Sequence, residues 1–145
     1  MSLAPNFARI VEETTGVEGS ALRTGLDLVR EIRNGLPAES VDRFVRAGKL
    51  TNVEVDRIVL PRKTLAHRRE IGKLTADQSD RLMRVARVIA FAEETFGDER
   101  KAHVWLRRAT SVLGDSAPLD LLDTEEGARE VETVLTRIAH GIAAW

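Results

Sequence analysis

TNVEVDRIVLPRKTLAHRR, residues 51–69, is the stretch whose reading decides the fold. Val55 and Ile58 stand three apart, Leu60 follows in a turn closed by Pro61, and Leu65 returns four residues later. Thr51 offers an N-cap to a first short helix, and Pro61 suits the first position of a second, where a missing N–H costs nothing. Two helices crossing at close range need apolar side chains at fixed offsets, and Val55, Ile58, Leu60 and Leu65 supply them. The segment predicts a helix-turn-helix. With Leu65 inward, Arg62, Lys63, Ala66, His67 and Arg69 fall near the outer surface, and the second helix's N-terminus adds free N–H groups suited to a phosphate or a base edge. Val59 stands where this motif commonly has Gly.

Charge supports a polyanion partner for that surface. The chain as a whole carries −1, yet residues 57–87 hold nine Lys or Arg against three Asp or Glu, a net +6. Residues 88–145 hold six against eleven, a net −5, and residues 1–56 seven against nine, a net −2. A basic zone in a near-neutral chain is what phosphate contact requires, because binding releases counterions from the polyanion. Arg62, Lys63, Thr64 and His67 are the candidates for base contact; Arg68, Arg69 and Lys73 extend the basic face. Lys73, Arg81 and Arg84 read as phosphate contacts or as solvated charges. The bland alternative is an exposed helix whose charges confer only solubility.

Working outward, Pro5, Pro37, Pro61 and Pro118 each fall where the apolar pattern breaks, as helix punctuation. Leu26, Val29, Ile32 and Arg33 mark a helix stopping at Asn34 and Gly35. After Pro37, Val41, Phe44 and Val45 repeat at helical spacing, with Gly48 past the last turn. Thr75 and Gln78 form a capping-box pair heading a long helix through Leu82, Val85, Ile89 and Phe96, closed by Gly97. A further helix carries Ala102, Trp105, Leu106 and Ala109. A loop over residues 113–118 leads to a turn of Leu119, Leu121 and Leu122, and Thr124 caps a last helix bearing Val131, Val134, Leu135 and Ile138. Residues 1–23, with Phe7, Ile10 and Val11 ahead of Gly16 and Gly19, suggest one short helix or a pairing segment, with dimerisation as a use open to it. No stretch alternates with period two, so the expected class is all-α.

Other classes of function lose support. His67, His103 and His140 lie far apart, none with a His or carboxylate at the spacing of a helical metal pair, and there is no Cys. No nucleophile elbow, Walker loop or dinucleotide fingerprint occurs. The sequence therefore leads us to expect no catalytic residue, no metal and no cofactor. His103 reads as a surface histidine beside Trp105, and His140 as a helix C-terminal cation favoured by the dipole. No apolar run reaches the roughly 20 residues needed to span a bilayer. The N-terminus lacks a signal-peptide layout, so a soluble cytoplasmic protein without a membrane partner is expected.

WLRRATSVLGDSAPLDLLDTEEGAREVETVLTRIAHG, residues 105–141, resembles the toxin-binding domain of Xre/MbcA/ParS-type antitoxins. The likeness lies in Trp105-Leu106, the Leu113-Gly114 turn before Pro118-Leu119-Asp120-Leu121-Leu122, Thr124 with Gly127, and the closing Val, Leu, Ile and Gly. Upstream, PRKTLAHRREIGKLTADQSDRLMRVARV, residues 61–88, resembles the Xre-like DNA-binding half, so most of residues 51–141 is covered. Where many members carry a second Gly after Gly114, this chain has Asp115. The resemblance implies an all-α fold in which a helix-turn-helix bundle precedes a small helical toxin-binding domain. It also implies a cognate RES-domain toxin that consumes NAD and is held inactive by the C-terminal region, and autorepression of operator DNA by a homodimer.

The expected division is an N-terminal segment 1–23, a helix-turn-helix region 24–96 and a toxin-binding domain 97–145. Trp105, Leu106, Leu113 and Leu119 are expected in the core, Gly114 and Pro118 shape a turn, and Gly127 permits close helix approach. The acidic domain ends in Ile142, Ala143, Ala144 and Trp145, an aromatic anchor beside a carboxylate. With His140 these are the candidate toxin contacts, the tail either entering the toxin's substrate cavity or folding onto its own helix. The competing readings are a plain helix-turn-helix regulator whose C-terminal domain dimerises or senses a ligand, and a structural adaptor with no DNA role.

Overall fold

The computed structural model describes residues 2–16 and 24–141. Its helices are α1 (Pro5–Thr15), α2 (Gly25–Asn34), α3 (Glu39–Arg46), α4 (Asn52–Ile58), α5 (Arg62–Ile71), α6 (Ala76–Phe96), α7 (Glu99–Leu106) and α8 (Glu125–Ala139). Two 3-10 turns, Ser111–Leu113 and Pro118–Leu121, separate α7 from α8. Extended pairing among the described residues is confined to three isolated bridges, so the class is all-α. No described helix is long and apolar enough to cross a membrane. The chain divides into two compact units, residues 1–86 and 87–145, and the division falls within α6.

In the first unit the helix starts follow from local chemistry. Thr51 and Glu54 exchange side-chain and backbone hydrogen bonds at 2.9 and 3.2 Å, and Thr75 and Gln78 do the same at 2.9 and 3.1 Å. Each box satisfies two backbone donors that the first helical turn would leave unpaired. Thr24 and Asp27 form a third box at α2. Pro61 sits one residue before α5, in extended conformation, so it caps the helix instead of opening it. Val59 takes an ordinary right-handed conformation, φ −110°, and the N–H of Leu60 still reaches the Val55 carbonyl at 3.1 Å; the turn needs no glycine.

Residues 5–15 are helical and pack α1 against α3, burying Ile10 and Val11, while Ser2 pairs with Thr24 in an isolated bridge. The loop after α2 is stitched to the loop after α5: the N–H of Leu74 donates to the Leu36 carbonyl at 2.9 Å, and that of Ala38 to the Gly72 carbonyl at 3.0 Å. Gly35, at φ +86°, permits this approach, since a Cβ there would overlap the Leu74 carbonyl oxygen. The hydroxyl of Ser79, fully buried on α6, accepts the Leu36 N–H at 2.9 Å.

In the second unit Asp98 caps α7 and Thr124 caps α8. α7 stops at Leu106, short of the exposed Ala109, because the N–H groups of Arg107 and Arg108 turn to the carbonyls three residues back. α8 packs against both 3-10 turns and α7 against the second. Leu106, Leu119, Leu122, Val131 and Leu135 are buried between them. Asp115 adopts φ +62°, the one non-glycine residue with positive φ among those described. That is the left-handed conformation that glycine adopts freely, and Asp tolerates it better than most side chains.

Candidate nucleic-acid and partner interfaces

α5 buries Leu65 and turns Arg62, Lys63, Ala66 and His67 outward, with Thr64 half-buried beside them. This outward set follows from helical spacing, since positions three and four apart share a face. Neither Arg62 nor Lys63 has a side-chain hydrogen bond or ion pair among the described residues. His67 lies 4.0 Å from Glu70, both well exposed.

The remaining candidate cations are held within the fold. The Arg69 guanidinium pairs with Asp42 on α3 at 2.7 Å. Arg68 Nε donates to the Lys73 carbonyl at 2.7 Å, fastening the end of α5, and Lys73 Nζ lies 3.4 Å from the Asn34 carbonyl oxygen. Arg81 donates to the Val59 carbonyl at 3.4 Å, bracing the turn between α4 and α5. Arg84 pairs with Asp80, its side chain only 11 % exposed, so it is not the solvated charge its sequence position suggested. The N-terminus of α5 also differs from expectation: the Arg62 N–H is already taken, donating to Asp56 Oδ1 at 2.7 Å. A cleft of about 220 Å³, lined by Asn52, Asp56, Arg62 and Arg69 among others, opens there.

The second unit holds two features that the sequence did not disclose. A groove of about 650 Å³ is lined by Phe96, Asp98, Arg100, Lys101, Val104, Trp105 and Arg108, with the Phe96 and Trp105 rings tilted against each other at 5.6 Å. Beside it, His103 is no simple surface residue. Its Nε2 lies 3.0 Å from the buried Glu93 carboxylate and its Nδ1 3.0 Å from Arg107 Nη1. A guanidinium only donates, so Nδ1 accepts and Nε2–H donates to Glu93. Glu99 completes a group whose ligand atoms lie within 4.8 Å of one another. It stands four residues before His103, so the expectation that no histidine has a carboxylate at helical spacing does not hold.

His140 ends α8 as its exposed C-cap. Ile142, Ala143, Ala144 and Trp145 lie outside the described residues.

Two family models match the chain: an antitoxin Xre-like helix-turn-helix domain over residues 27–87, and an antitoxin Xre/MbcA/ParS C-terminal toxin-binding domain over residues 91–141. A protein named antitoxin Xre from Pseudomonas putida is 36 % identical over 121 residues, covering 83 % of this chain and 76 % of the relative. The chain belongs to the Xre antitoxin family. A second antitoxin Xre, from Photorhabdus laumondii, is 36 % identical over 116 residues, covering 78 % of each chain. A Sphingobium protein named Prs ADP-ribosylating antitoxin is 28 % identical over 130 residues, covering 82 % of each.

The chain thus joins a helix-turn-helix module to a toxin-binding one, and its family is one of antitoxins, not enzymes. The toxin-binding match contains the groove, the Glu93 and His103 pair, and all of α8. Neither the groove nor the Glu93 and His103 pair could be singled out by spacing. Glu93 and His103 are ten residues apart across the break at Gly97, and Arg108 joins the groove from beyond the end of α7.

Proposed function

We propose that this antitoxin neutralises a RES-domain toxin that consumes NAD, by binding it and occluding its active site, and that as a homodimer in the cytoplasm it represses its own operon. The DNA arm rests on the outward face of α5, where Arg62 and Lys63 have no partner within the described fold beside Thr64 and His67. These four make base or nearby backbone contacts, while Arg68, Arg69 and Lys73 hold the α5 frame and add positive field along the phosphates. The division of labour follows residues 24–96 for DNA and 97–145 for toxin, with residues 1–23 serving dimerisation. Two half-sites one helical turn apart then match a two-fold protein.

On the toxin arm, His140, Ile142, Ala143, Ala144 and Trp145 enter the toxin's substrate cavity and exclude NAD without chemistry of their own. A Sphingobium relative carries ADP-ribosylation in its name, a reaction that draws on NAD, and this supports an NAD-consuming partner. Co-expression with the product of the adjoining gene, followed by co-purification and a growth test, checks the pairing. Deleting residues 142–145 and following NAD loss by the purified complex checks the plug. Restored NAD consumption is expected; unchanged inhibition removes the tail from the mechanism. A shift of the chain's own promoter fragment checks the repressor arm.

A further inference from the structure

The groove at the end of α6 and along α7 has a charge pattern that its surroundings do not share. Residues 88–145 carry six Lys or Arg against eleven Asp or Glu, yet three of the six, Arg100, Lys101 and Arg108, meet around this one depression. None of the three has a side-chain hydrogen bond or ion pair among the described residues. Asp98, the acid in the lining, commits a carboxylate oxygen to the backbone N–H groups of Arg100 and Lys101 at 2.8 and 3.1 Å. Between these charges Val104 lies 62 % exposed, an apolar side chain with no cover. Trp105 forms part of the wall; it is 2 % exposed, and its indole N–H finds no acceptor among the described residues.

We propose that this groove is a docking site for the toxin, and that it receives an acidic segment bearing one bulky apolar side chain. The inference rests on the toxin pairing proposed above and adds a contact independent of the C-terminal tail. The apolar side chain covers Val104 and the edge of the Phe96 and Trp105 pair; the acidic groups meet Arg100, Lys101 and Arg108. A nucleic acid fits less well. Single-strand platforms present an aromatic face to the solvent for base stacking, whereas Trp105 is covered, and a phosphate track has no use for an exposed valine.

Charge reversal tests this without endangering the fold, because Arg100 and Lys101 occupy the first turn of α7, where glutamate suits the helix dipole. Titration of the full chain with the purified toxin from the adjoining gene should show R100E/K101E, and separately V104E, binding about tenfold more weakly or worse, with promoter affinity unchanged. The ¹⁵N-labelled indole N–H resonance of Trp105, distinguished from that of Trp145 with W145F, should move on complex formation. Wild-type toxin affinity in both groove variants, with that resonance unmoved, overturns the proposal. Loss of promoter affinity in R100E/K101E with toxin affinity intact also overturns it and makes the groove a DNA surface. If the wild-type chain forms no complex, the toxin pairing itself fails, and the groove reading falls with it.

Discussion

Asp56 Oδ1 accepts the backbone N–H of Arg62 at 2.7 Å, so the last turns of α4 cap the helix that follows. Sequence proximity does not suggest this bond, because Pro61 supplies no capping side chain and the acceptor stands six residues back. Asp56→Ala should cost about 1 kcal/mol, the usual worth of an N-cap, read by far-UV circular dichroism in urea. Asp56→Asn keeps an acceptor oxygen and loses only the attraction between the carboxylate and the helix dipole, so it should cost roughly half as much. Equal losses in the two variants would mean that charge, not the hydrogen bond, holds the start of α5.

The partition of cations along α5 separates two kinds of arginine. Arg62→Ala with Lys63→Ala should weaken promoter binding and lower the slope of log affinity against log salt, by about one unit for each of the two cations that contacts a backbone phosphate rather than a base. Arg69→Ala removes a side chain already paired with Asp42, so it should change the slope by less than one unit. Gel-shift titrations at several salt concentrations check both. An Arg69 effect as large as the double change would show that the Asp42 pair opens on DNA.

Ser79→Ala addresses the stitch between loops. The Ser79 hydroxyl is fully buried and accepts the Leu36 N–H, so its removal leaves a buried donor unpaired, at a cost of about 1–3 kcal/mol. Hydrogen exchange at the Leu36 amide should accelerate accordingly. Protection equal to wild type would mean that another acceptor takes the place of the hydroxyl.

What could be read from the sequence was local. The caps at Thr51, Thr75 and Thr124, and the inward Leu65, depend on side chains within four residues of one another, a separation at which helical geometry is fixed. The fate of residues 5–15 was settled by burial of Ile10 and Val11 in a helix packed on α3, a tertiary effect that local propensity does not carry. The same limit applied to the interfaces. An exposed face on α5 followed from its period, but Arg69 was claimed by Asp42 from 27 residues away, and Glu93 met His103 across a helix break.

Two positions in the second unit allow the backbone to be tested directly. Asp115 holds φ +62°, which glycine adopts freely and alanine does not, so Asp115→Ala should be about 1 kcal/mol less stable than Asp115→Gly. Gly127 is more demanding. It lies in the first turn of α8, donates its N–H to Thr124 Oγ1 at 3.0 Å, and a Cβ there would overlap the Leu121 carbonyl oxygen. That neighbour is backbone at the end of a 3-10 turn packed against α8, so relief requires the turn and the helix to separate. Gly127→Ala should therefore cost about 1–3 kcal/mol, the range for forced overpacking. Both tryptophans lie in this unit, so intrinsic fluorescence during urea unfolding reports it: the Gly127→Ala midpoint should fall well below that of a control such as Glu130→Ala on the exposed face of α8. Coincident midpoints would mean that α8 can ride away from Leu121 without loss, and that the close approach at Gly127 does not stabilise the unit.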